Sequence, residues 1–219
     1  MTATGREPLM THTEAIDYWD SRHRSHEMLR SGGHTGYDEA TNEIFYLIRL
    51  GRLVERISFG THPAAPLDVL DAGCGKGYFA RGVARCGHRV VGVDASGHAV
   101  ETGRALGGGP RYEQSTLSRW RSSELFDVVY CIDVLFHVLD DAEWQESLLN
   151  LASLVRLGGR LILTEWDVAD RRAYGHHQLV RPTHEYTAML APRGLSYGGF
   201  SPDGYRDSGV GFHIFSRTA

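Results

Sequence analysis

The sequence predicts an α/β fold: a mostly parallel seven-stranded sheet with an antiparallel edge hairpin and an N-terminal helical cap. Three observations lead there. From Leu67 to Glu165 short apolar segments alternate with amphipathic ones, the pattern of an open parallel sheet with right-handed crossovers. A glycine-rich turn, Asp71-Ala-Gly-Cys-Gly-Lys-Gly77, joins the first apolar segment to the helix behind it. Two strand-like segments, Leu195–Phe200 and Gly211–Arg217, close a chain that opens with helices. With 219 residues and 42% hydrophobic content, the chain is long enough for one well-cored domain and an embellishment. The division expected is a cap or lid over 1–62 and the sheet domain over 63–219, with an insertion at about 167–194.

Each element has a local reason. Thr13 is placed to cap a first helix carrying Ile16, Tyr18 and Trp19, and Ser31-Gly-Gly-His-Thr-Gly36 interrupts it. The next helix sets Ile44, Leu47, Ile48 and Val54 along one face, widened by Phe45 and Leu53, until Pro63 and Pro66 end the helical signal. Asp68–Asp71 is a strand, Tyr78–Cys86 a helix with Phe79 and Val83 inward, and Arg89–Asp94 a second strand. Ser96 caps a helix that runs out in Gly107-Gly-Gly-Pro110. Arg111–Gln114 is a third strand, and Phe126–Asp133 a fourth, apolar enough to be central. A helix over about Ala142–Arg156 carries Trp144, Leu148, Leu151 and Val155 on one side, stops at Gly158-Gly159, and gives way to a fifth strand, Arg160–Glu165. Residues 167–182 have no clear period; Thr183–Leu190 reads as a helix.

Composition removes several functions. A net charge of −4 provides no basic field for nucleic acid or an anionic membrane, so neither is expected as a partner. No apolar run reaches the roughly 18 residues that span a bilayer, and Met1–Glu14 is polar, so a cytoplasmic protein is expected. Cys74, Cys86 and Cys131 are scattered, without metal-type or disulfide spacing, and read as reduced thiols; no metal site is expected.

The glycine turn carries the sharpest functional signal. Alternate glycines let the backbone turn tightly under a ligand, and the following helix presents unpaired N–H groups. Asp94 ends the next strand, where a carboxylate can accept from both hydroxyls of a ribose. These features alone also suit a dinucleotide. However, a dinucleotide's usual Gly-x-Gly-x-x-Gly is here Gly-x-Gly-x-Gly, opened by Asp71, a carboxylate that would repel a pyrophosphate and favour a cationic ligand end. The loop thus favours a sulfonium cofactor.

Leu67–Glu165 resembles the class I S-adenosylmethionine (SAM)-dependent methyltransferases of small-molecule type. Val69-Leu-Asp-Ala-Gly-Cys-Gly-Lys-Gly-Tyr78 is similar to that family's first motif, Val93-Asp-Ala-Ser96 to its second, Phe126–Val138 to its fourth-strand motif, and Leu154-Val-Arg-Leu-Gly-Gly-Arg-Leu161 to the segment after it. The resemblance implies a Rossmann-like methyltransferase fold that binds SAM and releases S-adenosylhomocysteine (SAH). It implies Asp71, Gly73 and Gly75 under the methionine end and Asp94, followed by Ala95, at the ribose. Where many relatives have Gly-Asp-Ala at the adenine, this chain has Gln114-Ser-Thr-Leu117, which leaves Ser115, Thr116 and Leu117 as adenine contacts, with Ile132 from the fourth strand. The frequent Pro-Gly-Gly is here Leu157-Gly-Gly159.

Methyl transfer is an in-line displacement that needs an aligned, deprotonated nucleophile, and no universal triad serves it. His137 follows the fourth strand at the carboxyl end of the sheet and is the first candidate base; its alternative is a structural or adenosine-adjacent histidine. Glu165 and Asp167 follow the fifth strand toward the same crevice. Tyr174, His176 and His177 lie in the insertion, as acceptor contacts or bases. Tyr18 and Trp19 are candidates to lay aromatic faces over the sulfonium, or to pack on the sheet domain. Arg22, His23, Arg24 and His26 form a cationic run that meets an anionic acceptor or is simply solvated. The function expected is methylation of a small molecule, oxygen weighted over nitrogen, carbon and sulfur, by a monomer or homodimer whose cap closes as a lid. Methylation of protein or RNA, non-catalytic SAM or SAH binding, and nicotinamide-dependent reduction are the alternatives.

Overall fold

The computed structural model describes residues 8–34, 36–58, 65–206 and 209–218. Pro63, Thr35 and the boundary at 62 lie outside them. Three helices come first: α1 (His12–Ser25), α2 (Met28–Gly32) and α3 (Glu39–Ser58). Then follow β1 (Asp68–Ala72), α4 (Tyr78–Arg85), β2 (Arg89–Asp94), α5 (Gly97–Leu106), β3 (Arg111–Gln114), β4 (Phe126–Cys131), α6 (Asp141–Leu154) and β5 (Val155–Trp166). The chain ends with β6 (Arg172–Tyr174), β7 (Gln178–Val180), α7 (Thr183–Leu190), β8 (Leu195–Pro202) and β9 (Val210–Arg217).

The seven-stranded sheet has the order β3-β2-β1-β4-β5-β9-β8. Its first five strands are parallel, while β9 runs antiparallel to both β5 and β8. Alternation along the strands sends one set of side chains to each face. Leu70, Ala72, Val91, Val93, Val129 and Leu163 pack with Leu148 and Leu151 of α6 and with Tyr186 and Leu190 of α7. Val69, Val90, Val128 and Ile162 pack with Leu53 and Ile57 of α3, Val83 of α4 and Val100 of α5. The order reverses between β1 and β4, which opens a crevice at the carboxyl ends of those strands. The candidate site lies there.

Four expectations need correction. First, α1 is capped by Thr11, not Thr13: Thr11 Oγ1 accepts from Glu14 N, and the Glu14 carboxylate accepts from Thr11 N at 2.8 Å. Only Thr11 has the acidic residue three positions on that a capping box requires. Second, α3 buries a different face. Its inward residues are Asn42, Phe45, Tyr46, Arg49, Leu53 and Ile57, whereas Ile44 and Leu47 are 52% and 54% exposed. Asn42 and Arg49, polar as they are, are buried because each has partners: Asn42 holds the turn after α2 through His34 N, His34 O and Tyr37 O. We expect Leu53→Ala, at a site with no exposure, to cost about 2–5 kcal/mol, and Leu47→Ala to stay within about 0.5 kcal/mol of wild type. Chemical denaturation of the two variants measures the difference; equal costs would mean that the helix phase is wrong.

Third, α6 ends at Leu154 and β5 starts at Val155, so Gly158-Gly159 does not terminate the helix. The pair lies in the irregular start of β5, Gly158 at φ +80° and Gly159 so near Asp127 O that a Cβ would stand 2.7 Å from it. Fourth, residues 167–182 contain the short hairpin β6–β7, turned at Gly175 with φ +59°. Three-residue strands are too short to show a period in sequence.

Candidate active site

β1 leaves the sheet at Ala72 and the chain turns through Gly73, Gly75 and Gly77, with φ of +80°, +50° and +78°, angles that only glycine adopts without strain. The same glycines allow close approach: a Cβ on Gly77 would collide with the Tyr112 hydroxyl, and one on Gly73 with Val134. The turn is fastened to β2. Gly73 N and Cys74 N both donate to Val93 O, and Gly75 N donates to Asp94 Oδ2 at 2.8 Å. Ser96 N donates to Asp94 Oδ1, also at 2.8 Å. The Asp94 carboxylate is therefore fixed by two backbone amides, and each oxygen keeps lone-pair capacity for a ligand hydroxyl.

A cavity of about 180 Å³ opens over this turn. Gly73, Gly75, Asp94, Ala95, Ser115, Thr116, Leu117 and Ile132 line it, as does His137 beyond β4. Its roof is made by Ala15, Ile16, Trp19 and His23 of α1, with Met28 and Gly32 of α2 and Tyr46 of α3. The roof is tied down at several points. Asp20 Oδ1 accepts from Ser96 Oγ at 2.5 Å, Met10 N donates to His176 O at 3.0 Å, and Lys76 Nζ donates to His26 O at 2.6 Å.

Asp71 lies beneath the turn, 1% exposed, and does not line the cavity. Its Oδ2 has no hydrogen-bond partner. Burial, reinforced by the nearby charge of Asp94 and opposed by the Tyr130 hydroxyl, pushes its carboxyl up to about 7. His137 lines the cavity with Nδ1 2.7 Å from His177 O. A carbonyl only accepts, so Nδ1 carries the proton and Nε2 the lone pair. Burial lowers its pKa to about 4; the ring is neutral at pH 7.

The remaining candidates form an aromatic seam at one edge of the roof. Trp19 meets His137 edge-on at 4.4 Å, His137 stacks with His177 at 5.7 Å, and Tyr18 contacts both His176 and His177. Of these, Trp19 and His137 reach the cavity; Tyr18, His176 and His177 lie behind them. Tyr174 is exposed and stacks on Trp166 at 5.8 Å. Glu165, expected to face the crevice, instead points into the core beside Tyr186, where burial raises its carboxyl well above its usual range. Asp167 is exposed and accepts from Thr183 Oγ1 at 3.2 Å. The cationic run splits: Arg22 donates to Ser31 O and Arg30 O, Arg24 pairs outward with Asp20, and His23 turns into the cavity.

Sequence reasoning missed two participants. Asp133, at φ +57°, lines the cavity just after β4 and pairs with Arg49, which also holds Asp203 at 3.0 Å. Lys76, inside the glycine turn, is 9% exposed and lines the cavity. The spacing Asp133-x-x-x-His137 after an apolar strand was the available signal for the first. For Lys76 there was none apart from its place in the turn.

A Rossmann-like sheet with a glycine turn at its switch point, a carboxylate ending β2 and a roofed cavity is the architecture of the class I SAM-dependent methyltransferases. A methyltransferase-domain family model matches residues 42–197, and the chain belongs to that family. Ubiquinone biosynthesis O-methyltransferases are similar in sequence. That of Rickettsia canadensis is 32% identical over 158 residues, 66% of this chain and 65% of the relative; that of Rickettsia felis is 30% identical, over 66% and 63%. The match thus spans a little under two thirds of the length of these relatives. The magnesium protoporphyrin IX methyltransferase of Synechocystis, solved with bound SAM, superposes with a TM-score of 0.72 at 22% identity, over 97% of this chain and 100% of that one. The 1,6-didemethyltoxoflavin-N1-methyltransferase of Burkholderia thailandensis gives 0.68 at 20% identity, over 100% and 98%. Among the described residues no helix is long and apolar enough to cross a membrane.

Proposed function

We propose that this protein methylates a small molecule at oxygen, with SAM as donor, inside the roofed cavity. The observation that carries the reading is continuity: one cavity runs from the glycine turn and Asp94 to aromatic walls made by Tyr46, Tyr78 and Phe79 under the cap. The residues present fit the cofactor. The glycine turn leaves room that any Cβ would fill at Gly75, where the His23 ring lies 3.3 Å from the Cβ position. Asp94 is oriented for a ribose, Ser115 and Thr116 provide hydroxyls, and Leu117, Ile132 and Ile16 provide apolar surface for a base. When bound, SAM supplies an electrophilic methyl group on a sulfonium.

The chain's own residues orient the acceptor and exclude water. α1, α2 and α3 roof the cavity, and the ties at Asp20, Met10 and Lys76 support reading this N-terminal segment as a lid. A histidine held near 4 is a poor base toward an unactivated alcohol. His137 Nε2 therefore suits an acceptor hydroxyl that is already acidic, a phenol or enol, whose O–H donates to it and is oriented by it. The O-methyltransferase names of the two curated relatives support oxygen, and a roofed cavity in a chain of net charge −4 supports a small acceptor over protein or RNA. Incubation with methyl-labelled SAM and a cell extract tests this: label is expected in the low-mass fraction. Label confined to protein or RNA would overturn the reading.

Asp71 adds a pH signature. A cationic ligand end above the turn favours its carboxylate, so cofactor binding lowers its pKa from about 7 and releases a proton. The sign follows: Asp71 favours binding above that pKa, and its contribution fades as pH falls through it. At pH 7, calorimetry in buffers of different ionisation enthalpy should find wild type releasing up to about half a proton more than Asp71→Asn on binding SAH. Equal release by the two proteins would exclude this coupling.

A further inference from the structure

One buried polar group in the cavity remains without a partner. His23, on the inner side of α1, is 6% exposed, lines the cavity, and its Nδ1 has no hydrogen-bond partner. Leaving such a group unsatisfied costs roughly 1–3 kcal/mol, which a ligand atom reaching it would recover. Its ring sits on the glycine turn, with Cε1 3.3 Å and Nε2 3.8 Å from the position of a Gly75 Cβ. Lys76, next to Gly75 in the turn, lines the same cavity, its ammonium held against α1 by the bond to His26 O. Below both, α4 begins at Gly77 with no side-chain cap, so its first amides are directed at the turn. The two acids nearest His23 are already engaged: Asp94 accepts from Gly75 N and Ser96 N, and Asp20 from Ser96 Oγ, His98 N and Arg24.

Two nitrogen side chains and a helix N-terminus thus meet the same cavity at its glycine turn. That is a site for a small anion. We propose that His23 and Lys76 form the carboxylate site for the amino-acid end of the cofactor, so that this end, not the adenosine, fastens α1 over the cavity. The proposal rests on the SAM reading above. It gives the lid a chemical trigger: a ligand that carries the carboxylate bridges the glycine turn and α1, while one without it touches the turn alone.

Two ligands separate these cases. SAH carries the amino-acid end; 5′-methylthioadenosine keeps the adenosine and a thioether but lacks it. Wild type, His23→Ala and Lys76→Met are titrated with each, and hydrogen exchange of residues 12–32 is followed with and without ligand. Wild type should bind SAH at least about tenfold more tightly than methylthioadenosine. Each variant should lose about tenfold or more for SAH while its affinity for methylthioadenosine is unchanged, which also reports an intact fold. SAH should slow exchange in α1; methylthioadenosine should not. Variants that bind SAH as wild type does, or equal protection of α1 by both ligands, would overturn the proposal alone. If wild type binds neither ligand, the cofactor reading fails and the proposal fails with it.

Discussion

Asp94→Ala should weaken cofactor binding severely, with a loss of about 10²–10⁴-fold in SAH affinity. Its carboxylate offers two charge-assisted acceptors to a ribose, each worth roughly 1.5–3 kcal/mol. It also fixes the turn itself, through Gly75 N and Ser96 N at 2.8 Å each. The substitution therefore removes ligand contacts and frees two amides of the loop that would shape the site. Asp94→Asn, which retains one acceptor oxygen, should fall between the two. Calorimetric titration with SAH measures all three. An Asp94→Ala protein within about fivefold of wild type would mean that the carboxylate does not reach the ligand.

The second large effect concerns Arg49. Its side chain is 2% exposed, pairs with Asp133 and Asp203, and lies 4.3 Å from the Phe45 ring centroid. Asp133 is further held by Thr164, whose Oγ1 donates to Asp133 Oδ1 at 2.9 Å. Arg49→Met would leave two carboxylates facing each other without the cation between them. Removing one partner of a buried ion pair costs about 3–5 kcal/mol, which for a chain of this size lowers Tm by about 6–20 °C. Because Arg49 joins α3 to the end of β4 and to the segment between β8 and β9, Asp133 would also shift within the cavity wall. Thermal unfolding of the variant decides; a Tm within about 2 °C of wild type would show that the bridge contributes nothing to stability.

These two residues mark the boundary of what the sequence discloses. Asp94 could be read because its signal is local: it ends an apolar strand just after a glycine turn, and both ends of the relationship lie within one β-α-β unit. The parallel sheet was readable for the same reason, since short continuous apolar runs and glycine stops are properties of neighbouring residues. Arg49 was opaque, because its partners stand 84 and 154 residues away and a charged residue without visible partners is assigned to the surface. That single residue, together with Asn42, rotated the expected inner face of α3 and left Ile44 and Leu47 outside.

His23 repeats the lesson at the site. Between Arg22 and Arg24 it reads as one more member of a cationic run that meets an anionic acceptor or is simply solvated. It is buried only because α1 folds back across the glycine turn, a contact that joins the cap to the sheet domain and leaves no periodic trace. Trp19 and His137 were legible as site candidates from their places after the cap start and after β4. Their mutual packing, and the carbonyl of His177 that sets the His137 tautomer, come from the β6–β7 hairpin and could not be inferred from either residue's neighbours.

The central claim is that the glycine turn, Asp94 and the cap together hold a sulfonium cofactor and not a dinucleotide. Titration of the wild-type protein with SAH and, separately, with NAD tests it most directly. Saturable, stoichiometric binding of SAH with no heat from NAD is the result expected. Binding of NAD, or the absence of SAH binding, would contradict it.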